Sequence, residues 1–222
     1  MVGIIGSMDI EIEKLLENMK DIKESMHGPF KFFCGKILNK NVALVKCFEG
    51  KVNSAICTQL LIENFNVDLI INVGVAGGLS KKLEIGGIAI SSSTVEFDND
   101  TTALGYELGY TFGINKVNIE CNEKEVNRLY DISKKLVNTQ KGVIVSSDKF
   151  VVDDDTKNML KEKFNAIATD METASINHVC YLNNIKFIAI RGISDSGNNV
   201  EFREFINIAV DNINKVIMEY LK

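Results

Sequence analysis

The chain has 222 residues, 45% hydrophobic and 25% charged, with a single proline and a formal net charge of −5. That size and composition suit one α/β domain over 1–222 and argue against disorder, while an acidic balance without a basic cluster argues against nucleic-acid or anionic-membrane partners. No linker-like stretch, repeat or low-complexity segment divides it, no apolar run reaches membrane-spanning length, and the opening MVGIIGSMD lacks the basic and apolar regions of a signal peptide, so a cytoplasmic location is expected.

In chain order, 2–5 reads as a short strand ending at Gly6, and Ser7-Met8-Asp9 opens a helix. Ile12, Leu15, Leu16 and Met19 give that helix a buried face at i, i+3, i+4, i+7. Glu11 falls in its first turn, where an acid suits the helix dipole without any further role. Residues 30–38 and 42–47 read as two strands joined by Asn39-Lys40-Asn41. A helix is expected over 52–65, then a buried strand, DLIINV, over 68–73. Gly74-Val75-Ala76-Gly77-Gly78 follows, read as a turn after the strand. Three glycines in five positions either make that turn or let a ligand approach the backbone; the pattern is neither the dinucleotide fingerprint nor a phosphate loop.

Further strands are expected over 88–97 and 142–147, with a mostly irregular stretch of functional or interface length at 98–118 and a helix at 123–138 between them. Phe150, past a strand end, either stacks on a planar ligand or packs in the core. A helix at 154–164 leads into strand 166–169, helix 171–184 and strand 186–190, and a long helix over 200–221 closes the chain. The strand-helix-strand unit sets Asp170 and Glu172 after its first strand and Arg191 and Asp195 after its second. Asp170 alone reads as a helix cap, and Arg191 with one acid as an ordinary ion pair. Charges beside apolar strands need partners if buried. Strands alternating with helices imply a central mixed, largely parallel sheet with ligands at the strands' carboxyl ends. The five cysteines form no C-x-x-C pair and suit a reducing compartment. His27 and His178 lack metal-ligand spacing, and His178 reads as a satisfied buried or interface histidine. Neither a metal nor a cofactor is expected.

The segments GIIGSMDIEIEKLL (3–16), GKVNSA (50–55), DLIINVGVAGGL (68–79), TALGYE (102–107), GVIVSSDKFV (142–151), DMETASINHVC (170–180) and IRGISDS (190–196) stand in the order and spacing of a known family. Over nearly its whole length the chain resembles the 5′-methylthioadenosine/S-adenosylhomocysteine nucleosidases of the purine nucleoside phosphorylase superfamily. The resemblance implies a three-layer α/β/α sandwich, a nucleoside substrate and a homodimer in which the loop around 101–106 reaches the partner's site. It makes Glu11 the acid that activates water and Asp195, helped by Ser194, the acid that protonates the leaving adenine. Arg191 supports the water and Glu11. Glu172 accepts the ribose hydroxyls beside Met171, Phe150 stacks on adenine, and the Val151 backbone reads its edge, with Val75 and Gly77 also at the substrate.

Cleavage of a C–N glycosidic bond fits those residue types: cationic character grows on the ribose and negative charge on the base, so one acid serves each side. Asp195 is then expected to hold a proton through burial and Glu11 to stay ionised beside Arg191. A phosphorylase of the same superfamily is the alternative, but the chain has only three arginines, and Glu11 would repel phosphate. Two departures stand out. Cys47-Phe48-Glu49-Gly50-Lys51 replaces the usual Ser-Gly-Ile-Gly-Lys, setting the carboxylate of Glu49 where an apolar residue lines the 5′ pocket. Leu104 replaces an aromatic residue. A 5′ group more polar than methylthio is the specificity this suggests, unless Glu49 turns outward.

Overall fold

Apolar runs and period-2 alternation build the sheet. In a computed structural model of the protein, residues 1–195 and 199–222 are described; Ser196, the end of the 190–196 motif, lies outside them. The strands are β1 (Val2–Gly6), β2 (Met19–His27), β3 (Phe30–Ile37), β4 (Lys40–Lys46), β5 (Leu69–Gly78), β6 (Ile88–Glu96), β7 (Ile119–Glu120), β8 (Thr139–Ser146), β9 (Ala166–Asp170) and β10 (Lys186–Asp195). The helices are α1 (Asp9–Glu17), α2 (Lys51–Asn64), α3 (Glu123–Ser133), α4 (Asp154–Phe164), α5 (Thr173–Leu182) and α6 (Asn199–Tyr220). Among the described residues no helix is long and apolar enough to cross a membrane.

The sheet is mixed. Strands β4, β1, β5 and β10 pair in parallel, as do β6, β8 and β9. Two antiparallel contacts, β10 with β6 and β5 with β9, join the groups and close the circuit β5–β10–β6–β8–β9 into a barrel-like ring. Strands β3 and β2 extend β4 as an antiparallel wing. The strands are therefore not all parallel, yet their carboxyl ends still meet. Antiparallel β5 and β9 touch only through their last residues, Gly77 opposite Thr169 and Gly78 opposite Ala168.

Helices cover both faces. A Cβ on Gly6 would meet Ile12 of α1, whereas one on Gly3, three residues away on the opposite face, would meet Leu61 of α2. In β10, Gly192 lies against Ala209 of α6, while its neighbour Arg191 points the other way, to Thr173 of α5. Thus α1 and α6 lie on one side, and α2 and α5 on the other.

Four expectations are corrected. The first helix ends at Glu17, and Met19 opens a strand instead. Residues 74–78 are no turn: β5 runs through them, Gly74 opposite Arg191 and Gly77 opposite Asp195. Arg191 and Asp195 accordingly lie within β10, not after it. The helix expected to reach 138 stops at Ser133.

Candidate active site

Glu11 enters the site from the first turn of α1. Its Oε2 accepts from Ser7 N (2.7 Å), Ser7 Oγ (2.9 Å) and Met8 N (3.0 Å), and its Oε1 from Val75 N (2.9 Å). Glu11 is buried, where an acid placed only to suit the helix dipole would face solvent. Four donors from two segments fix its carboxylate at the end of β5.

Arg191 is wholly buried and reached by three acids. Its Nε lies 2.8 Å from Asp170 Oδ2 and donates to Thr173 Oγ1 (2.9 Å); its Nη2 donates to Asn72 Oδ1 (2.6 Å) and lies 3.4 Å from Glu172 Oε2. Burial works against the guanidinium's charge, but Asp170, Glu172 and Glu11 outweigh it and raise its pKa. The ion pairs thus go to Asp170 and Glu172. The link to Glu11 is indirect: Nη1 donates to Val75 O (3.4 Å), while the same residue's N–H holds Glu11. Gly74 makes this possible, since a Cβ there would collide with Arg191 Nη1 and lie 2.6 Å from Glu11 Oε1. That glycine makes room for two side chains rather than for a ligand.

Asp170 is both cap and ion-pair partner. Its Oδ1 accepts from Glu172 N and Thr173 N (both 3.3 Å) and from Ser146 Oγ (2.5 Å). Glu172 precedes α5 and takes the Gly50 N–H at the start of α2 on Oε1 (3.1 Å). Burial, opposed by Arg191 and reinforced by Asp170 and Glu11, pushes its carboxyl up to about 8. Asp195 is buried at the end of β10, and Ser194 Oγ donates to its Oδ2 (2.8 Å).

These ends surround a cavity of about 290 Å³, near the lower end of small-molecule sites. Glu11, Glu49, Val75, Gly77, Phe150, Val151, Met171, Glu172, Ser194 and Asp195 all line it. Arg191 does not; it is buried behind the wall, paired with the lining residues Asp170 and Glu172. Phe150 is half exposed and meets Phe202 edge-on with centroids 5.9 Å apart, which removes the reading of a core phenylalanine. Glu49 is exposed yet lines the cavity, so it does not simply turn away. Leu104 is 74% exposed and lies outside its own chain's cavity. His178 gives Nδ1 to Glu96 Oε1 (2.8 Å), the satisfied histidine expected.

Sequence reasoning missed Ser7, Asn72, Thr173 and Phe202. An asparagine inside the apolar run DLIINV was a signal, since a buried amide needs partners. Asn72 finds them in Arg191, Thr173 and Ile5 O.

A mixed sheet with helices on both faces and a carboxylate-lined cavity where strand ends converge describes a class of nucleoside-handling folds. A family model described as "Phosphorylase superfamily" matches residues 1–222. A 5′-methylthioadenosine/S-adenosylhomocysteine nucleosidase of Staphylococcus haemolyticus is 36% identical over 229 residues, covering 100% of this chain and 99% of that protein. The crystal structure of such a nucleosidase from Neisseria meningitidis, in complex with methylthio-immucillin-A, superposes with a TM-score of 0.95 at 32% identity, covering 100% of this chain and 98% of that one. Futalosine hydrolase of Helicobacter pylori superposes with a TM-score of 0.93 at 29% identity, covering 99% of this chain and 96% of that one. Within the phosphorylase superfamily, the chain belongs to the 5′-methylthioadenosine/S-adenosylhomocysteine nucleosidase family.

Proposed function

We propose that this chain hydrolyses the N-glycosidic bond of 5′-methylthioadenosine, S-adenosylhomocysteine or a related 5′-substituted adenosine and releases adenine, the whole of 1–222 acting as one domain. The observation that carries this reading is the placing of Glu11 and Asp195, from different elements, on one cavity with Glu172. Glu11, held by four donors, takes the proton of the attacking water. Asp195, oriented by Ser194, delivers a proton to the departing base. Glu172 accepts the ribose hydroxyls beside Met171 and so holds the reacting carbon. Phe150 stacks on the base, Val151 offers its backbone to the base edge, and Val75 and Gly77 line the same cavity.

Water rather than phosphate suits the charges. Among the described residues the cavity wall carries one cationic side chain, Lys149, and its Nζ is paired with Asp153 Oδ2 at 2.8 Å. Arg191 is committed to two carboxylates. A phosphate dianion would face Glu11, Asp170 and Glu172 without a free arginine. A second reading concerns the 5′ group: Glu49 on the wall favours a substituent more polar than methylthio, such as that of S-adenosylhomocysteine, 5′-deoxyadenosine or adenosine itself, and futalosine hydrolase is an example of the fold serving another nucleoside.

The protein acts as a homodimer in the cytoplasm. Exposed Leu104, Val52, Ile56 and Leu182 support the first statement, and five free cysteines, four of them buried, support the second. Adenine release from a panel of 5′-substituted adenosines, with and without phosphate, tests the reaction. Phosphate-independent release is expected; a strict phosphate requirement would make it a phosphorylase, and no release would refute catalysis.

A further inference from the structure

Lysine at the first position of α2 stands at the wrong end of a helix dipole, and Lys51 nevertheless is largely buried. Its surroundings supply the reason. Nζ lies 3.2 Å from Glu96 Oε2 and 2.6 Å from Asp98 Oδ1, and the backbone N–H donates to Asp148 Oδ1 (2.7 Å). Asp98 in turn takes the Asp148 N–H on Oδ2 (3.2 Å), and Glu96 takes His178 Nδ1 of α5 on Oε1 (2.8 Å). The Lys51 carbonyl accepts from Ser175 Oγ (2.8 Å) and Ser54 Oγ (3.1 Å). One residue is thereby tied to β6, to the 148 segment, to α5 and to its own helix. The residue before it, Gly50, gives its N–H to Glu172 Oε1.

We infer that Lys51 is a positioning residue that sets the Gly50 N–H on Glu172 and so fixes the carboxylate that accepts the ribose; this rests on the ribose role of Glu172 proposed above. Gly50 has a φ of +93° and no side chain to brace it; its N–H is aimed by Asn53 Nδ2, which donates to the Glu49 carbonyl of the same peptide (2.8 Å), and by what holds the next residue. Without the lysine ammonium, Glu96 and Asp98 would repel each other beside the start of α2. The 47–50 loop, held at its other end by the Cys47 N–H on Gly6 O (2.8 Å), would then shift where it enters α2 and weaken the backbone donor to Glu172. The base end of the cavity depends on Asp195 and Phe150, which the Lys51 side chain does not touch.

The test measures kcat and KM for 5′-methylthioadenosine, and Kd for free adenine, in Lys51→Met, Lys51→Arg and Glu172→Gln. A weakened hydrogen bond to the buried Glu172 carboxyl predicts that Lys51→Met raises KM about tenfold, with kcat falling less than about threefold. Adenine affinity stays unchanged, and Lys51→Arg recovers most of the KM. An unchanged KM in Lys51→Met, or an equal loss of adenine affinity, overturns the inference. If Glu172→Gln itself leaves KM unchanged, the ribose role of Glu172 fails instead. Asp98→Asn, which withdraws one of the two acids on the ammonium, gives the same KM readout should Lys51→Met not fold.

Discussion

Gly74→Ala is the smallest change that reaches the centre of the site. The new methyl would overlap Arg191 Nη1 and stand 2.6 Å from Glu11 Oε1, where ordinary contact begins near 3.4 Å. Glu11 Oε1 must therefore retreat by about 0.8 Å, which breaks its bond from Val75 N at 2.9 Å. Arg191 has no slack either, being held by Asp170, Thr173 and Asn72. A displacement near 1 Å of a catalytic group costs on the order of 10²-fold in rate, and forcing a methyl into a packed interior costs about 1–3 kcal/mol. Steady-state kinetics with 5′-methylthioadenosine should show kcat lower by about 10²-fold with a smaller change in KM. Denaturant unfolding should show the matching loss of stability. A variant with kcat within about threefold of wild type and unchanged stability would refute the claim that this glycine exists to seat Arg191 and Glu11.

Asp195→Asn should lower kcat by about 10²- to 10⁴-fold while leaving folding intact, since an amide cannot supply the proton; single-turnover adenine release measures it, and near wild-type turnover would remove Asp195 from the acid role. Glu172 has a folded-state pKa raised to about 8, above that of an unfolded glutamate near 4.3. Its contribution to ligand-free stability is therefore full at acid pH and is lost as pH rises through about 8, with a slope of up to about 1.4 kcal/mol per pH unit. Urea unfolding at several pH values should show that slope in wild type and lose it in Glu172→Gln; parallel curves for the two proteins would exclude the titration. Glu49→Ile should shift kcat/KM toward 5′-methylthioadenosine relative to adenosine by about threefold to tenfold, because a charge no longer faces the methylthio group. An unchanged ratio would show that Glu49 does not read the 5′ substituent.

Most strands were legible in the sequence because buried parallel strands are short apolar runs: GIIG of β1, LIIN of β5 and AIAT of β9 are buried almost throughout. Strand β2 was not, because MKDIKESMH is a charged, exposed edge whose one buried residue, Met19, fell by coincidence on the helical stripe of α1. Glycine misled the reading of 74–78. The chain stays extended there and uses glycine because Arg191, Glu11 and Ile193 fill the space beside it. Glu11, Glu172, Arg191 and Asp195 were legible through the motifs that carry the family resemblance, but not the partners of Arg191, which depend on side chains that no local pattern brings together. Phe48 is a related case. It has a φ of +63° where the family pattern has glycine, and its ring meets Phe30 at 6.0 Å with the Lys46 ammonium over it at 4.9 Å.

The closed circuit through β5, β10, β6, β8 and β9 also sets a timetable. Strand β5 is made early, but its neighbours β9 and β10 lie about a hundred residues downstream, so loop closure must wait for nearly the whole chain. Until residue 195 has left the ribosome, LIINVGVAGG offers an apolar, unpaired edge to anything nearby. The last two strands, which bring Asp170, Arg191 and Asp195, are the ones that seal it. A nascent or truncated chain without them is thus both inactive and sticky, and the same residues that assemble the site end the chain's exposure to aggregation.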